Sequence, residues 1–326
     1  MDRKRKIPEV EVLIMIEELN DVAIIGMGPA GITAAIYLDR SNIKPICFEP
    51  GKIGGKLHQV KEIENYTAFL GTGVELAAEM EKQVKHFALD VRKERVISVN
   101  PNEDKTYTVV TDNKEYKFRS VIIANGMKEK PFEVKGSEKY FGNGISRCAE
   151  CDAAFHKGRP VAVIGDTNKA YKEAIYLAGV VGKVYLINEG DKVKADKEVV
   201  DEFYSMDNTE IINGYKIANS EGEHHLQKLF LVGTNDASKN MELEVDALFI
   251  FIGATPIYEF LGYMDIVNGS GFINVDDSKM TKNEGVFAAG DCSDTKLRQV
   301  VTATADGALA AINCAAYLRK SKKNQK

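Results

Sequence analysis

The sequence has no apolar run approaching the roughly 18 residues that would suggest a membrane span, so none is expected. It has no basic stripe interleaved with aromatics, and a net charge of -5 points away from nucleic acid. Its first residues, MDRKRKIPEVEVLIMIEELN, open on a basic head, but Glu9 and Glu11 interrupt the short apolar part and no small-residue cleavage site follows. The cytoplasm is the expected location. Cysteine is scarce and odd in number: Cys47, Cys148, Cys151, Cys292 and Cys314. That is not the count of a secreted disulfide framework, and the single close pair in a reducing compartment suggests redox or metal chemistry.

What is there describes an ordinary globular protein: 326 residues, 44% hydrophobic and 28% charged. Single cores stop growing near roughly 250 to 300 residues, so two domains are expected. Short apolar strands alternate with helical stretches at Val22 to Gly26, Ile46 to Glu49, Val121 to Ala124, Val161 to Gly165, Val184 to Ile187 and Leu248 to Ile252. This is the α/β pattern of parallel sheets. The strands at Val22 and Val161 each run into a glycine turn and a helix, so a nucleotide-binding type of unit occurs twice. Tyr107 to Val110 and Glu115 to Phe118 read as a hairpin across Asp112 to Lys114. Residues 1 to 20 fall outside the pattern, and RKSKKNQK from Arg319 reads as a polar, frayed end.

AIIGMGPAGITAAIY places Gly26, Gly28 and Gly31 in G-x-G-x-x-G spacing after a strand, with Pro29 and Ala30 opening the helix. The first glycine permits the turn, the second admits a pyrophosphate to the backbone, and the third lets helix and strand pack. Glu49 ends the next strand 23 positions after Gly26, where a carboxylate accepts from a ribose diol. Cys148-Ala-Glu-Cys151 puts two sulfurs about one helical turn apart, a spacing that favours disulfide exchange. Zinc is the competing reading, with His156 as a third ligand, but no second Cys-x-x-Cys or neighbouring His completes a tetrahedron. Cys47, Cys292 and Cys314 read as packing thiols, and His224 and His225 as a surface loop.

These motifs, with EPGKIGGKL, IENYTAF, VIIANG, CAECD, FIGATP, AAGDCSD and RQVVTATADG, resemble the low-molecular-weight thioredoxin reductase family of flavoproteins over about Asp21 to Leu318. The resemblance implies two Rossmann-like, three-layer ββα nucleotide-binding domains, the second inserted in the first. Residues 21–128 and 257–326 would form the FAD-binding domain and 129–256 a domain like the NADPH-binding one, carrying the CxxC. FAD contacts would come from Gly26, Gly28, Pro29, Ala30, Gly31, Glu49, Gly55, Lys56, Leu57, Asn65, Val96, Ala124, Asn125 and Gly126. Later in the chain they would come from Gly290, Asp291, Arg298, Gln299, Val300 and Ala303. Lys56 stands for a usual glutamine and Asn125 for a usual threonine. By the same resemblance Cys151 faces the flavin, Cys148 attacks the substrate disulfide of thioredoxin, Asp152 donates a proton, and the protein is a homodimer.

The second nucleotide turn departs from the family. Its usual GGGDSA reads Gly165-Asp166-Thr167-Asn168-Lys169-Ala170, and its His-Arg-Arg reads Asn188-Glu189-Gly190, with Lys194 further on. Thr167 puts a branched side chain where the backbone must approach a pyrophosphate, and Asp166 adds a negative charge. Glu189 inverts the charge that would grip a 2′-phosphate. NADPH is therefore expected not to bind; a reading in which Glu189 holds the NADH ribose still sets the pyrophosphate over Asp166 and Thr167. An FAD beside a disulfide with no hydride donor resembles the ferredoxin-dependent flavin thioredoxin reductases, with ferredoxin as partner. A dithiol oxidase using oxygen and a non-catalytic redox sensor are the alternatives.

Overall fold

The computed structural model describes residues 19–60, 62–190, 193–262 and 264–324. Residues 1–18 of the expected leading extension lie outside the described residues. Leu19 and Asn20 already belong to the first strand, so the ordered unit starts earlier than the apolar pattern suggests. Two compact units emerge. One comprises the segment ending at Lys52, Val84–Asn125 and the segment from Tyr258 onward; the other comprises Ile53–Gln83 and Gly126–Ile257.

The first unit begins with β1 (Leu19–Ile25), α1 (Pro29–Arg40) and β2 (Ile46–Phe48), followed by β3 (Asp90–Arg92), β4 (Val96–Pro101), β5 (Tyr107–Thr111) and β6 (Glu115–Ile123). The sheet order is β3-β2-β1-β6-β5-β4. β1 runs parallel to both β2 and β6, and β5 joins β6 antiparallel through the expected hairpin. The sequence reads as two short strands around Arg119 and Ser120, but the structure has one. Ser120 can stay in a buried strand because its hydroxyl donates to Gly285 O at 2.5 Å. A satisfied polar group costs little on burial.

In the second unit β7 (Ile145–Ser146), β8 (Pro160–Ile164), β9 (Lys183–Asn188), β10 (Thr209–Asn213) and β14 (Ala247–Ile250) form a wholly parallel sheet in the order β7-β14-β8-β9-β10. Between β10 and β14 the chain makes an antiparallel ribbon, β11 (Tyr215–Glu221), β12 (Lys228–Gly233) and β13 (Asn240–Glu244). Helices α2 (Asn168–Ala178) and α3 (Lys197–Tyr204) follow β8 and β9. Alternation sorts the core. Val161, Val163, Val184, Leu186 and Phe249 pack against Tyr171, Leu177 and Phe203 of the helices. Ala162, Ile164, Ile187, Leu248 and Ile250 pack against Ile217, Leu229 and Leu231 of the ribbon. Strands covered on both faces read as continuous apolar runs, and the result is three layers, ribbon on sheet on helix.

Back in the first unit, β15 (Val286–Ala288) adds to the carboxyl-terminal half of β6 in parallel register. Helix α4 (Val300–Asn324) then packs along α1. The expected fraying from Arg319 is not observed up to Asn324; within that last stretch Ser321 Oγ donates to Tyr317 O at 3.0 Å. Lys326 and Gln325 lie outside the described residues. Over Val300–Ser321 this helix is long and apolar enough to cross a membrane by length and composition, which corrects the expectation that no run comes near. Small residues carry its apolar character, and Ala303, Ala310, Ala311, Cys314, Ala315 and Leu318 are buried.

One buried group in the second unit is under-used. Tyr171 is fully buried and meets Phe203 edge-on at 5.6 Å, yet its hydroxyl makes no hydrogen bond among the described residues. Removing an unsatisfied hydroxyl removes a desolvation penalty of about 1 to 3 kcal/mol. Tyr171→Phe is expected to raise unfolding stability by about 1 kcal/mol. A urea titration checks it, as a higher midpoint at unchanged slope.

Candidate functional site

The three glycines after β1 differ in why they are glycine. Gly26 has φ +97°, and a Cβ there would lie 2.6 Å from Ala124 O. A Cβ on Gly31 would lie 1.9 Å from Gly26 O, so only glycine lets α1 reach the turn. Around Gly28 nothing lies within 4 Å of the added carbon, which leaves the backbone open to a ligand. Gly28 is the N-cap of α1 with no side chain capping that end and Pro29 at its first position. The amide end of the helix is thereby presented to an anion.

Glu49 stands at the end of β2 as expected. Its Oε2 accepts from Met27 N at 2.9 Å and its Oε1 from Gly51 N at 2.8 Å, so the carboxylate is fixed between turn and strand end. Ala124 N donates to Ile25 O at 2.8 Å, bringing Ala124 and Asn125 under the same turn, and Gly126 follows with φ +66° and open space. Gly290 also comes to this place. Its φ is +76° and a Cβ on it would meet Ala30 Cβ at 3.0 Å and Ala303 Cβ at 3.6 Å. Arg298 lies over the Phe272 ring at 4.1 Å and reaches Asp291 O at 3.4 Å. Gln299 N donates to Thr302 Oγ1 at 3.1 Å just before Val300 opens α4, and Ala303 N donates to Gln299 O at 3.0 Å. Val96 begins β4 and packs against the first unit's core. Gly55, Lys56 and Leu57 lie in a 3-10 turn, and Asn65 in the strand Ile63–Tyr66; both belong to Ile53–Gln83, in the other compact unit. Within the first unit, the open glycine, uncapped helix end, anchored acid and small residues of α4 fit a dinucleotide.

Cys148 and Cys151 are joined as a disulfide with Cα atoms 5.3 Å apart. Cys148 is the N-cap of the short helix Ala149–Asp152 and Cys151 lies within it, and Cys148 Sγ accepts from Cys151 N at 3.2 Å. Ala149 and Ala153 are buried against the α2 side of the core, while Cys148 and Cys151 are half-buried and Glu150 is exposed. Asp152 is half-buried at the end of that helix. The helix continues as a 3-10 turn to His156, whose Nδ1 pairs with Asp246 Oδ2 at 2.5 Å. Arg159 Nη1 donates to Asp246 Oδ1 at 2.7 Å. Burial pushes the Asp246 carboxyl up, but the bonds from His156 and Arg159 outweigh it and hold it below the usual range. Thus His156 serves Asp246, and no metal-holding group of three ligands exists among the described residues. Burial also raises the half-buried Glu173 carboxyl on α2; Lys169 opposes and Glu150 adds to the shift.

The remaining thiols are inert. Cys47, Cys292 and Cys314 are buried. Burial pushes the Cys47 thiol far up, and it raises Cys314 to about 12 against the contact with Ser120. His224 and His225 are exposed.

The second glycine turn keeps its first glycine. A Cβ on Gly165 would lie 2.7 Å from both Ala170 Cβ and Phe251 O, so the first glycine remains obligatory. Beyond it the crevice bonds to itself. Lys194 Nζ pairs with Asp166 Oδ2 at 2.6 Å and Lys194 N donates to Asp166 O at 3.1 Å. Asn168 and Asp196 exchange two bonds of 2.6 Å each. At the end of β9, Asn188 is held by Asn213 and Gly190, and Glu189 is exposed.

Comparison with known proteins gives a consistent picture. Residues 20–307 match the family model described as pyridine nucleotide-disulphide oxidoreductase. A thioredoxin reductase of Aquifex aeolicus is 37% identical over 94% of this chain and 96% of its own. The crystal structure of thioredoxin reductase from Streptococcus pyogenes superposes with a TM-score of 0.88 at 31% identity, over 93% of this chain and 99% of the other. A ferredoxin-flavin thioredoxin reductase from Clostridium acetobutylicum matches at 0.52 and 29%, over 94% and 99%.

The contact at Gly31 gives a direct test. Gly31→Ala forces α1 away from Gly26 O and is expected to yield protein with little or no bound flavin. The ratio of visible to ultraviolet absorbance of the purified variant measures it, and a wild-type ratio would contradict the fit.

Proposed function

The chain belongs to the pyridine nucleotide-disulphide oxidoreductase family, as a flavoprotein disulfide reductase of thioredoxin reductase type with FAD as its cofactor; on that premise we propose that it reduces thioredoxin with electrons from reduced ferredoxin rather than NADPH. The observation that carries the proposal is the second turn. An incoming pyrophosphate there has to displace Lys194 from Asp166, approach past Thr167, and find Glu189 in place of an arginine. The likeness to the Clostridium acetobutylicum ferredoxin-flavin enzyme supports the same donor.

In this reading Gly26, Gly28 and Gly31 admit the pyrophosphate, Glu49 orients the ribose, and Asp291 and Arg298 meet the remainder of the cofactor. When bound, FAD supplies the exchange between single electrons and the electron pair that a disulfide needs. The chain's own residues do the rest. Once the pair is reduced, the Cys148 thiolate attacks a thioredoxin sulfur, and a mixed disulfide forms as the thioredoxin S–S bond breaks. Asp152 gives a proton to the leaving thiolate. Cys151 then attacks Cys148 Sγ, the second thioredoxin thiol leaves, and the Cys148–Cys151 bond re-forms. Two electrons and two protons have passed to the substrate. A plant-type ferredoxin near about -400 mV and thioredoxin near about -270 mV differ by about 130 mV, roughly 6 kcal/mol downhill for two electrons. Lysines of Lys128 to Lys139 are candidate contacts for an acidic ferredoxin, and the cytoplasm is where these partners meet.

The homodimer has a candidate surface in the first unit. Val301, Leu309 and Ile312 project from α4 at 46%, 46% and 52% exposure, along one face with Ala305 and Ala316. Such a contiguous apolar stripe marks an interface, and a second copy of the chain is the occupant we assign.

Three experiments follow. Under anaerobic conditions, reduced ferredoxin is expected to bleach the flavin band while NADPH and NADH leave it unchanged; Cys148→Ser and Cys151→Ser each abolish thioredoxin reduction and stay yellow. Fast bleaching by either nucleotide refutes the donor, and turnover in either variant refutes the dithiol route. Light scattering on Leu309→Glu/Ile312→Glu is expected to give monomer where the wild type gives dimer.

A further inference from the structure

Helix α4 carries one acid in a run of small and apolar residues, VVTATADGALAA, and that acid is buried. Both oxygens of Asp306 are engaged. Oδ1 pairs with Lys279 Nζ at 2.6 Å, with side chains only 9% and 17% exposed, and Oδ2 accepts from Gly290 N at 3.3 Å. The next residue, Gly307, marks the close crossing of α4 with α1, since a Cβ there would lie 2.1 Å from Ala30 O. Asp306 therefore stands where α4, the helix of the first glycine turn and the Gly290 turn converge.

The Gly290 turn is tied on its other sides. Its carbonyl accepts from Ser293 Oγ at 2.7 Å and Ser293 N at 2.9 Å, and Ala289 N donates to Ile123 O at 2.9 Å. Its own N–H is the group that Asp306 holds. Lys279 has φ +64°, an uncommon conformation for a residue with a side chain, and its carbonyl accepts from Ala288 N at 3.0 Å at the end of β15. The lysine is thus fixed by its backbone to the strand that leads into the turn, and by its ammonium to the acid that closes it. A buried ion pair is rarely the most stable filling for such a space; an apolar pair of the same size does as well. Its presence here is explained by the acceptor it supplies.

We propose that Asp306, clamped by Lys279, is a positioning residue for the flavin: it holds the Gly290–Asp291 turn in the left-handed conformation that receives the cofactor. The proposal rests on the reading that this turn meets FAD. Neither side chain needs to touch the cofactor. Lys279 neutralises Asp306 so that the carboxylate can be buried, and Asp306 fixes the direction of the Gly290 N–H and with it the carbonyls and side chain that follow.

The test compares two neutral pairs in the full chain after removal of flavin. K279M/D306L fills the space without an acceptor, while K279M/D306N keeps an amide oxygen for Gly290 N. FAD titration followed by flavin fluorescence is expected to give a dissociation constant about tenfold above wild type for the leucine variant, the size of one lost hydrogen bond to a buried donor. The asparagine variant is expected within about threefold of wild type. Urea midpoints of the two flavin-free variants are measured alongside and are expected to agree, which separates affinity from folding. Equal affinities in the two variants overturn the positioning role. Asp291→Ala serves as the control: unchanged FAD affinity there means the turn does not meet the cofactor and the underlying reading fails. Weakened binding in Asp291→Ala with equal leucine and asparagine variants removes the Asp306 role alone.

Discussion

Burial of parallel strands on both faces is the constraint from which the rest of this protein follows. Strands β8, β9 and β14 are enclosed between helices and ribbon, so their side chains are committed to packing and cannot carry chemistry. β1 from Val22 to Ile25 and β6 from Ser120 to Ile123 are likewise buried where they pair. Polar function is left to the carboxyl ends, where the last strand carbonyl gives way to a turn. The turn residues of the first unit's glycine site obey this. Gly26 follows β1, Glu49 follows β2, Ala124 and Asn125 follow β6, and Gly290 and Asp291 follow β15. Four parallel strands deliver four short turns to one edge of the sheet, and the glycines let those turns approach one another.

The same constraint explains why the second unit shares the strand, glycine turn and helix of the first. Gly165 is required by β8, β14 and α2 themselves, through Phe251 O and Ala170, whatever binds outside. Packing preserves it. Asp166, Thr167 and Asn168 point away from the core and answer only to what occupies the crevice. Asp166 is paired here with Lys194 and Asn168 with Asp196, both from the loop after β9. The residues that make the fold thus differ from those that line the crevice.

Much of this was legible in the sequence because it is local. The G-x-G-x-x-G spacing, Glu49 and the CAEC pair all rest on neighbours a few positions away, and the strands around Val22, Val161 and Leu248 are continuous apolar runs. What escaped is decided at long range. Ser120 interrupts the apolar pattern of β6, and its bonds to Gly285 O, 165 positions away, and to Cys314 Sγ, 194 away, let the strand continue. Asp306 and Lys279 are charged residues in separate segments, and nothing but the fold buries them together. His156 entered only the zinc reading already set aside, because it is near the cysteines in sequence; its partner, Asp246, lies 90 residues on. The length of α4 was missed for a different reason, since alanine and glycine make a helix without a conspicuous apolar run. The lone acid within it was the available signal.

The short helix of the redox pair also carries a carboxylate. Glu150 stands between the cysteines, and its field reaches Glu173, whose carboxyl burial raises further. A carboxylate beside a cysteine pair disfavours a neighbouring thiolate. Glu150 is exposed on the short helix that holds the pair. The helix that carries it is held at one end by Ala149 in the core and beyond the other by His156 on Asp246, so that charge is presented at a fixed place.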